Sequence, residues 1–317
     1  MAKGTQIKVE KAALFERLGY EPHEGQWRVH RSNARYRVLA CGVRWGKTTL
    51  SSYEAICALL APCESSTGWV VAPTLELTRY VFERVRAAFL QHMPHRVVED
   101  DQRSTRFVVK NLGGGKSEMR GRTADNPASL LGEGLDWMIV DEAAKLKEDV
   151  WSSYLAPRLV DKRGWALILS TPRGLNWFHG AFWRGQNGRD PEYESWRGPT
   201  LENPLINKET VESEGRRVDA GPFEQEYEAK FIGEEFLPCE GCGCPSESAV
   251  SCIVSPDFAA MARCEMCGEP IDVNGKTVVG RGPDGRGRLL VIDLAHARRA
   301  IERDDALLQT PANDVVA

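Results

Sequence analysis

The stretch Tyr36-Arg37-Val38-Leu39-Ala40-Cys41-Gly42-Val43-Arg44-Trp45-Gly46-Lys47-Thr48-Thr49 places a short apolar run, a glycine-bearing turn and a lysine-hydroxyl pair in immediate succession. Tyr36 to Ala40 reads as a strand and Thr48 to Leu60 as a helix. Strand, glycine loop and helix in that order are the context of the phosphate loop, Gly, four residues, then Gly-Lys-Ser/Thr. Its glycines permit a tight turn whose backbone N–H groups point inward and cradle phosphate oxygens. Counting back from Gly46 puts Cys41 at the first glycine position and Gly42 one place late, so the match is a variant in the right setting. On this reading Gly42, Val43, Arg44, Trp45, Gly46, Lys47, Thr48 and Thr49 surround ATP. Lys47 reaches its terminal phosphates and the Thr48 hydroxyl ligates Mg²⁺. The alternative is a glycine turn with an exposed lysine.

A partner lies downstream. Trp137-Met138-Ile139-Val140-Asp141-Glu142 is an apolar strand ending in two carboxylates. Asp141 can hold Mg²⁺ opposite Thr48, and Glu142 can polarise a water for in-line attack on the γ-phosphate. A third strand, Trp165 to Leu169, ends in Ser170-Thr171-Pro172, where Pro172 stops the ladder. Ser170 and Thr171 would lie beside the γ-phosphate and report its loss; a Ser/Thr cap on a strand-to-turn junction is the other reading.

Working outward, Gly68 to Ala72 reads as a strand and Thr74 to His92 as a helix with an apolar face of Leu77, Val81, Val85, Ala88 and Phe89. Arg106 to Val109 and the stretch around Met119 flank a glycine-rich hairpin turn, Asn111 to Gly115. Short apolar runs alternating with helical patterns predict an α/β fold, a mostly parallel sheet flanked by helices.

Composition bounds the rest. The 317 residues carry 41 basic and 45 acidic side chains, 42% hydrophobic and 27% charged residues, which excludes collagen-like and wholly disordered chains. Apolar runs such as Trp165–Leu169 are far shorter than the roughly 20 residues of a membrane span. No signal-peptide pattern opens the chain, so no membrane partner is expected and the cytosol is the default compartment.

These motifs, in this order, resemble the ATPase domain of phage large terminases, the motors that pack double-stranded DNA into procapsids. The resemblance covers residues 14–236 and includes Tyr20 to Gln26, Trp69 to Thr74, Ala124 to Leu130, Asn203-Pro204 and Phe223 to Phe231. It implies a P-loop NTPase of the RecA-like, additional-strand type, with Gln26 hydrogen-bonding the adenine edge. It also implies residues 175–236 as a lid that shifts on hydrolysis, and self-association into a ring on the portal protein. Double-stranded DNA, a small terminase subunit and a location in the host cytoplasm follow from the same likeness. Two positions depart from the family: arginine is replaced by Val43 in the loop and by Leu131 further on. A charge-stabilising arginine is worth roughly 10³–10⁵ in rate, and Arg44, Arg120 and Arg122 are the replacements the sequence offers.

Arg103, Arg106, Lys110, Lys116, Arg120 and Arg122, against Glu118 alone, mark the hairpin as a DNA-tracking surface or a solvated, charge-protected edge. Six of the nine cysteines fall between Cys239 and Cys267. Cys239-x-x-Cys242 and Cys264-x-x-Cys267 have the spacing of a structural Zn²⁺ site of zinc-ribbon type, in a segment spanning residues 237–317 with a helical tail. That segment is too short for a terminase nuclease domain, so no DNA cleavage is expected of this chain, the nuclease being lost or separately encoded. A helicase-type DNA-dependent ATPase and a zinc-ribbon binding protein with a degenerate ATPase core are the competing functions.

Overall fold

Strand β1 (Tyr36–Cys41) is buried from Arg37 onward, and β6 (Trp137–Asp141) and β7 (Trp165–Ser170) are buried along almost their whole length. Strands that are apolar on both sides need cover on both, which is what a parallel sheet between helical layers supplies. The computed structural model describes residues 9–186 and 190–232, and beyond them only three short strands, Cys252–Ile253, Ala262–Cys264 and Pro270–Ile271. The chain divides into two compact units, Met1–Ile232 and Gly233–Ala317.

In the first unit, β2 (Ser65–Ala72), β3 (Val97–Asp101), β4 (Arg106–Lys110), β5 (Lys116–Thr123) and β8 (Tyr193–Gly198) complete an eight-stranded sheet in the order β3-β4-β5-β2-β6-β7-β1-β8. All neighbours from β5 to β8 run parallel; the β3–β4 and β4–β5 pairs are antiparallel. The loop-bearing strand β1 is thus wedged between β7 and β8, and β6 lies just beyond β7.

Alternation along the strands divides the core. Leu39, Cys41, Val70, Ile139, Leu167 and Leu169 face α3 (Lys47–Leu60) and α4 (Leu75–His92). Val38, Ala40, Trp69, Met138, Val140 and Ile168 face the opposite layer, built from the segment 143–159 and α5 (Trp177–Arg184). Thr74 caps α4, its hydroxyl oxygen accepting from Leu77 N at 3.4 Å. The buried stripe of α4 is Thr78, Val81, Phe82, Val85 and Phe89, so Thr78 and Phe82 take places the sequence pattern gave to Leu77 and Ala88. Thr78 is tolerated inside because its hydroxyl donates to Arg122 O at 2.9 Å.

Helices α1 (Lys11–Arg17) and α2 (Glu24–Arg31) precede the sheet, and α6 (Lys208–Gly215) and α7 (Ala220–Glu226) follow it. The stretch expected to act as a lid, 175–236, therefore includes β8, whose pairing with β1 makes it part of the sheet. In the second unit the three short strands form an antiparallel sheet. No helix among the described residues is long and apolar enough to cross a membrane.

Candidate active site

The loop between β1 and α3 is shaped by two glycines. Gly46 has φ +106°, a left-handed geometry open to glycine, and any Cβ there would stand 2.6 Å from Gln26 Nε2. At Gly42 a Cβ would meet Thr200 Oγ1 at 2.5 Å and the carbonyls of Tyr227 and Glu226 within 2.9 Å. Glycine is required at 42 and not at 41, since Cys41 is still the last strand residue, fully buried, its thiol pushed up to about 12 by that burial. This explains the displaced glycine of the motif.

Past Gly46 the chain turns into α3 with no side-chain cap. Among the described residues the backbone N–H groups of Arg44, Gly46, Lys47, Thr48 and Thr49 have no acceptor. A helix start leaves its first donors unpaired, and here neither a capping side chain nor a neighbouring carbonyl takes them. Lys47 Nζ donates to Thr171 Oγ1 at 3.1 Å and to Gly42 O at 3.3 Å, so the ammonium lies at the end of β7. Together these donors make an anion-binding cradle.

The outer side of the loop is tied down. Val43 N donates to Glu226 O at 2.7 Å and Gly42 N to Gly198 O at 3.0 Å. Thr200 Oγ1 donates to Val43 O at 2.7 Å and Asn203 Nδ2 to Arg44 O at 2.8 Å. Trp45 is buried beneath, its indole N–H donating to Glu202 at 2.9 Å with the His23 ring edge-on at 4.7 Å. Gln26 differs from its expected place. It is 4% exposed, its Nε2 donates to Gly46 O at 3.3 Å and its Oε1 accepts from His23 N at 3.2 Å. Its amide is committed to bracing the loop from behind and does not line the pocket.

Across the crevice, Asp141 ends β6, and burial together with the adjacent Glu142 charge raises its carboxyl to about 6. The peptide then turns at Glu142 with φ +53°, a left-handed conformation that costs about 1–3 kcal/mol for a side-chain-bearing residue. A 3-10 turn, Ala143–Lys145, follows and brings Lys145 Nζ to 3.1 Å from Glu142 Oε2. That oxygen is buried and makes no directed hydrogen bond, so the contact is one of charge and not of aligned donor and acceptor. Ser170 Oγ is also buried without a partner.

A pocket of about 840 Å³ gathers most of these groups, although Asp141 and Ser170 are not among its lining residues. Val43, Arg44, Gly46, Lys47, Thr48 and Thr49 form one wall, Glu142, Lys145, Thr171 and Arg173 another. Asn203, Leu205, Ile206, Gln225 and Glu226 close the third. Lys145, Arg173, Leu205 and Ile206 were not singled out from the sequence, whereas Asn203, Gln225 and Glu226 belong to the segments that carried the family resemblance; only folding brings them to the loop. Thr48 lines this pocket and Asp141, 5% exposed, does not. Among the described residues, however, the Asp141 carboxylate accepts only the Glu142 N–H, at 3.0 Å. A hydroxyl and a carboxylate with free lone pairs make a donor set that fits a divalent cation.

The basic hairpin is present, with Lys110 opposite Lys116 at its tip end, both exposed like Arg103. Its other cations are engaged. Arg106 pairs with Glu99 and Glu118, and Arg120 with Glu118 and Glu133. Against partial burial, the two guanidinium groups hold the Glu118 carboxyl below its ordinary range. Arg122 stacks over Trp69, 4.9 Å from the ring centroid. Neither Arg120 nor Arg122 lines the pocket, so of the three candidate replacements for the missing arginines only Arg44 stands beside it. Of the proposed zinc ligands, Cys239, Cys242 and Cys267 lie outside the described residues, and of Cys264 only the backbone is described.

A phosphate loop opening a helix beside the central strands, faced by an acidic pair on the next strand but one, defines a P-loop NTPase. Comparison narrows this. No protein-family model matches the chain. It is 36% identical over 245 residues to the terminase large subunit of Thermus virus P23-45, covering 69% of this chain and 50% of that protein. The structure of the large terminase ATPase domain of Thermus phage P74-26 is 33% identical, with a TM-score of 0.64 over 69% of this chain and 98% of that domain. The large terminase of bacteriophage HK97 shares the fold at a TM-score of 0.54 and 11% identity. The chain belongs to the phage large terminase family, and it spans about half the length of the curated relatives it matches.

Proposed function

We propose that this chain binds ATP with Mg²⁺ in the pocket at the start of α3 and hydrolyses it to drive double-stranded DNA into a phage procapsid. The observation that carries the reading is the set of unpaired amides at Gly46–Thr49 with Lys47 beside them, lining one pocket with Glu142. The amides and Lys47 hold the phosphate chain. Mg²⁺, held by Thr48 and Asp141, would neutralise phosphate charge. Glu142 orients the attacking water and accepts its proton. Thr171 holds Lys47, and Ser170 precedes it at the end of β7. A terminal phosphate that draws Lys47 away therefore changes that strand end, which is the coupling role assigned to the two hydroxyl residues. The wall formed by Asn203 to Glu226 is bonded to the loop itself, which gives that change a path into α7 and makes this wall the moving part.

DNA contact is assigned to the exposed Arg103, Lys110 and Lys116, and a ring on the portal protein, with a small terminase subunit, is the assembly in which the motor works. In the second unit a structural Zn²⁺ on Cys239, Cys242, Cys264 and Cys267 is supported by the paired spacing alone. The test is ATP turnover with and without duplex DNA, for the wild type and Glu142→Gln. DNA-stimulated turnover that Glu142→Gln abolishes supports the motor; strand separation on a forked duplex would favour a helicase; no turnover, even with portal present, would favour a binding protein.

A further inference from the structure

Both arginine positions of the family are apolar here, and Leu131 is 57% exposed away from any charge role. In phosphoryl transfer, charge spreads over the equatorial oxygens of the moving group, and a site with one lysine leaves much of it uncompensated. Beyond Lys47, three cations line the pocket: Arg44, Lys145 and Arg173. Arg44 and Arg173 are exposed and make no ion pair among the described residues. Lys145 alone is held against the acid that orients the water, its Nζ 3.1 Å from Glu142 Oε2.

We propose that Lys145 is a further catalytic residue, its ammonium bridging Glu142 and the terminal phosphate during hydrolysis. This rests on the ATPase reading of the pocket. Three features of the contact favour it. The turn from Glu142 (φ +53°) through Lys145 N, which donates to Glu142 O at 3.0 Å, fixes the two side chains on the pocket side. The Glu142 oxygen makes no directed hydrogen bond, so the ammonium keeps all three of its donors in hand. Lys145 is also 46% exposed, against 18% for Glu142, which leaves it free to swing towards an incoming phosphate.

In the step itself, the water oxygen bonds to the terminal phosphorus as the bond from that phosphorus to the ADP oxygen breaks. The water proton passes to Glu142, and ADP and inorganic phosphate leave. Lys145 takes part in no bond exchange; it offsets negative charge shared between the carboxylate and the phosphate.

The test uses the full chain, with Lys145→Ala and Lys145→Arg. Turnover is measured with DNA, and affinities are measured for ADP and for ADP with aluminium fluoride, which mimics the moving phosphoryl group. Lys145→Ala should lower kcat roughly 10²-fold, and the aluminium fluoride complex should weaken in parallel while ADP affinity stays within about twofold. Lys145→Arg should recover most of both. Unchanged kcat in Lys145→Ala, or a loss matched by an equal loss of ADP affinity, would overturn the proposal while leaving the ATPase reading intact. A wild-type protein that neither binds ADP nor turns over ATP would overturn both.

Discussion

One helix holds two opposite solutions to the problem of buried polar groups. At its start α3 leaves a row of amides without acceptors. Roughly two turns later Glu54, 2% exposed, is saturated. One carboxylate oxygen accepts from Lys11 Nζ at 2.7 Å and His30 Nδ1 at 2.6 Å, the other from Arg37 Nη1 at 2.5 Å. Arg37 in turn stacks on Trp165, and the Tyr20 hydroxyl meets His30 Nε2 at 3.1 Å. Burial alone would raise the Glu54 carboxyl; Arg37, the His30 hydrogen bond and Lys11 outweigh it and hold the group well below its ordinary 4.5. The closed cluster fastens α1, α2 and β1 to α3. The open one, on the same rigid rod, is kept for a ligand. Groups left unpaired at the mouth of a pocket carry binding, and groups paired to completion carry the fold.

If that division is right, substitutions at the two ends should separate activity from stability. The largest effect is expected at the open end: Glu142→Gln or Lys47→Ala should lower turnover by roughly 10²–10⁴ while the melting temperature is unchanged or raised. At the closed end, Glu54→Gln leaves Arg37 buried without its counter-charge and should cost about 3–5 kcal/mol in urea unfolding. Nucleotide affinity of the folded fraction should be retained. Because Glu54 has a folded pKa below its unfolded value, its contribution is present above about pH 4.5 and is lost progressively as the pH falls beneath it. Glu54→Gln should flatten that acid limb of the stability curve.

Asp141 has the reverse shift. With its carboxyl near 6, the proton competes with the divalent cation below that value. Magnesium-dependent nucleotide binding should weaken by about tenfold per pH unit below it, and Asp141→Asn should remove this dependence along with most of the affinity, as titration calorimetry at a series of pH values would show. The smallest effect belongs to the hairpin. Lys110→Ala with Lys116→Ala should change stability by less than about 0.5 kcal/mol. The same pair should reduce the salt slope of DNA binding by about two. If Arg106→Ala, which breaks a paired network, alters the slope as much, the assignment of exposed over paired cations is wrong.

The sheet's centre was legible because β1, β6 and β7 are apolar runs of strand length, each ending in the polar residues that build the site. β8 was not, since Tyr193-Glu194-Ser195-Trp196-Arg197-Gly198 is mostly polar and lacks the two-residue alternation of a half-buried strand, and it joins the sheet by pairing with β1. Helices α1 and α2 are short, and what holds them is distant in sequence: Phe15 packed against Tyr53, His30 against Glu54. Gln26 shows a subtler limit. Its amide chemistry was readable, its direction was not, because the helix turn that aims it at Gly46 depends on His23 and the loop together. Lys145 was invisible for a similar reason: only the left-handed turn at Glu142 brings a lysine three residues on back over the acid.

The most direct measurement is the position of ATPγS in a crystal structure of the chain grown with Mg²⁺. The β- and γ-phosphates should lie within hydrogen-bond reach of the amides of Gly46, Lys47 and Thr48, with Lys47 Nζ withdrawn from Thr171 onto the nucleotide. A nucleotide bound elsewhere, or Lys47 still on Thr171 with those amides unoccupied at saturating ligand, would contradict it.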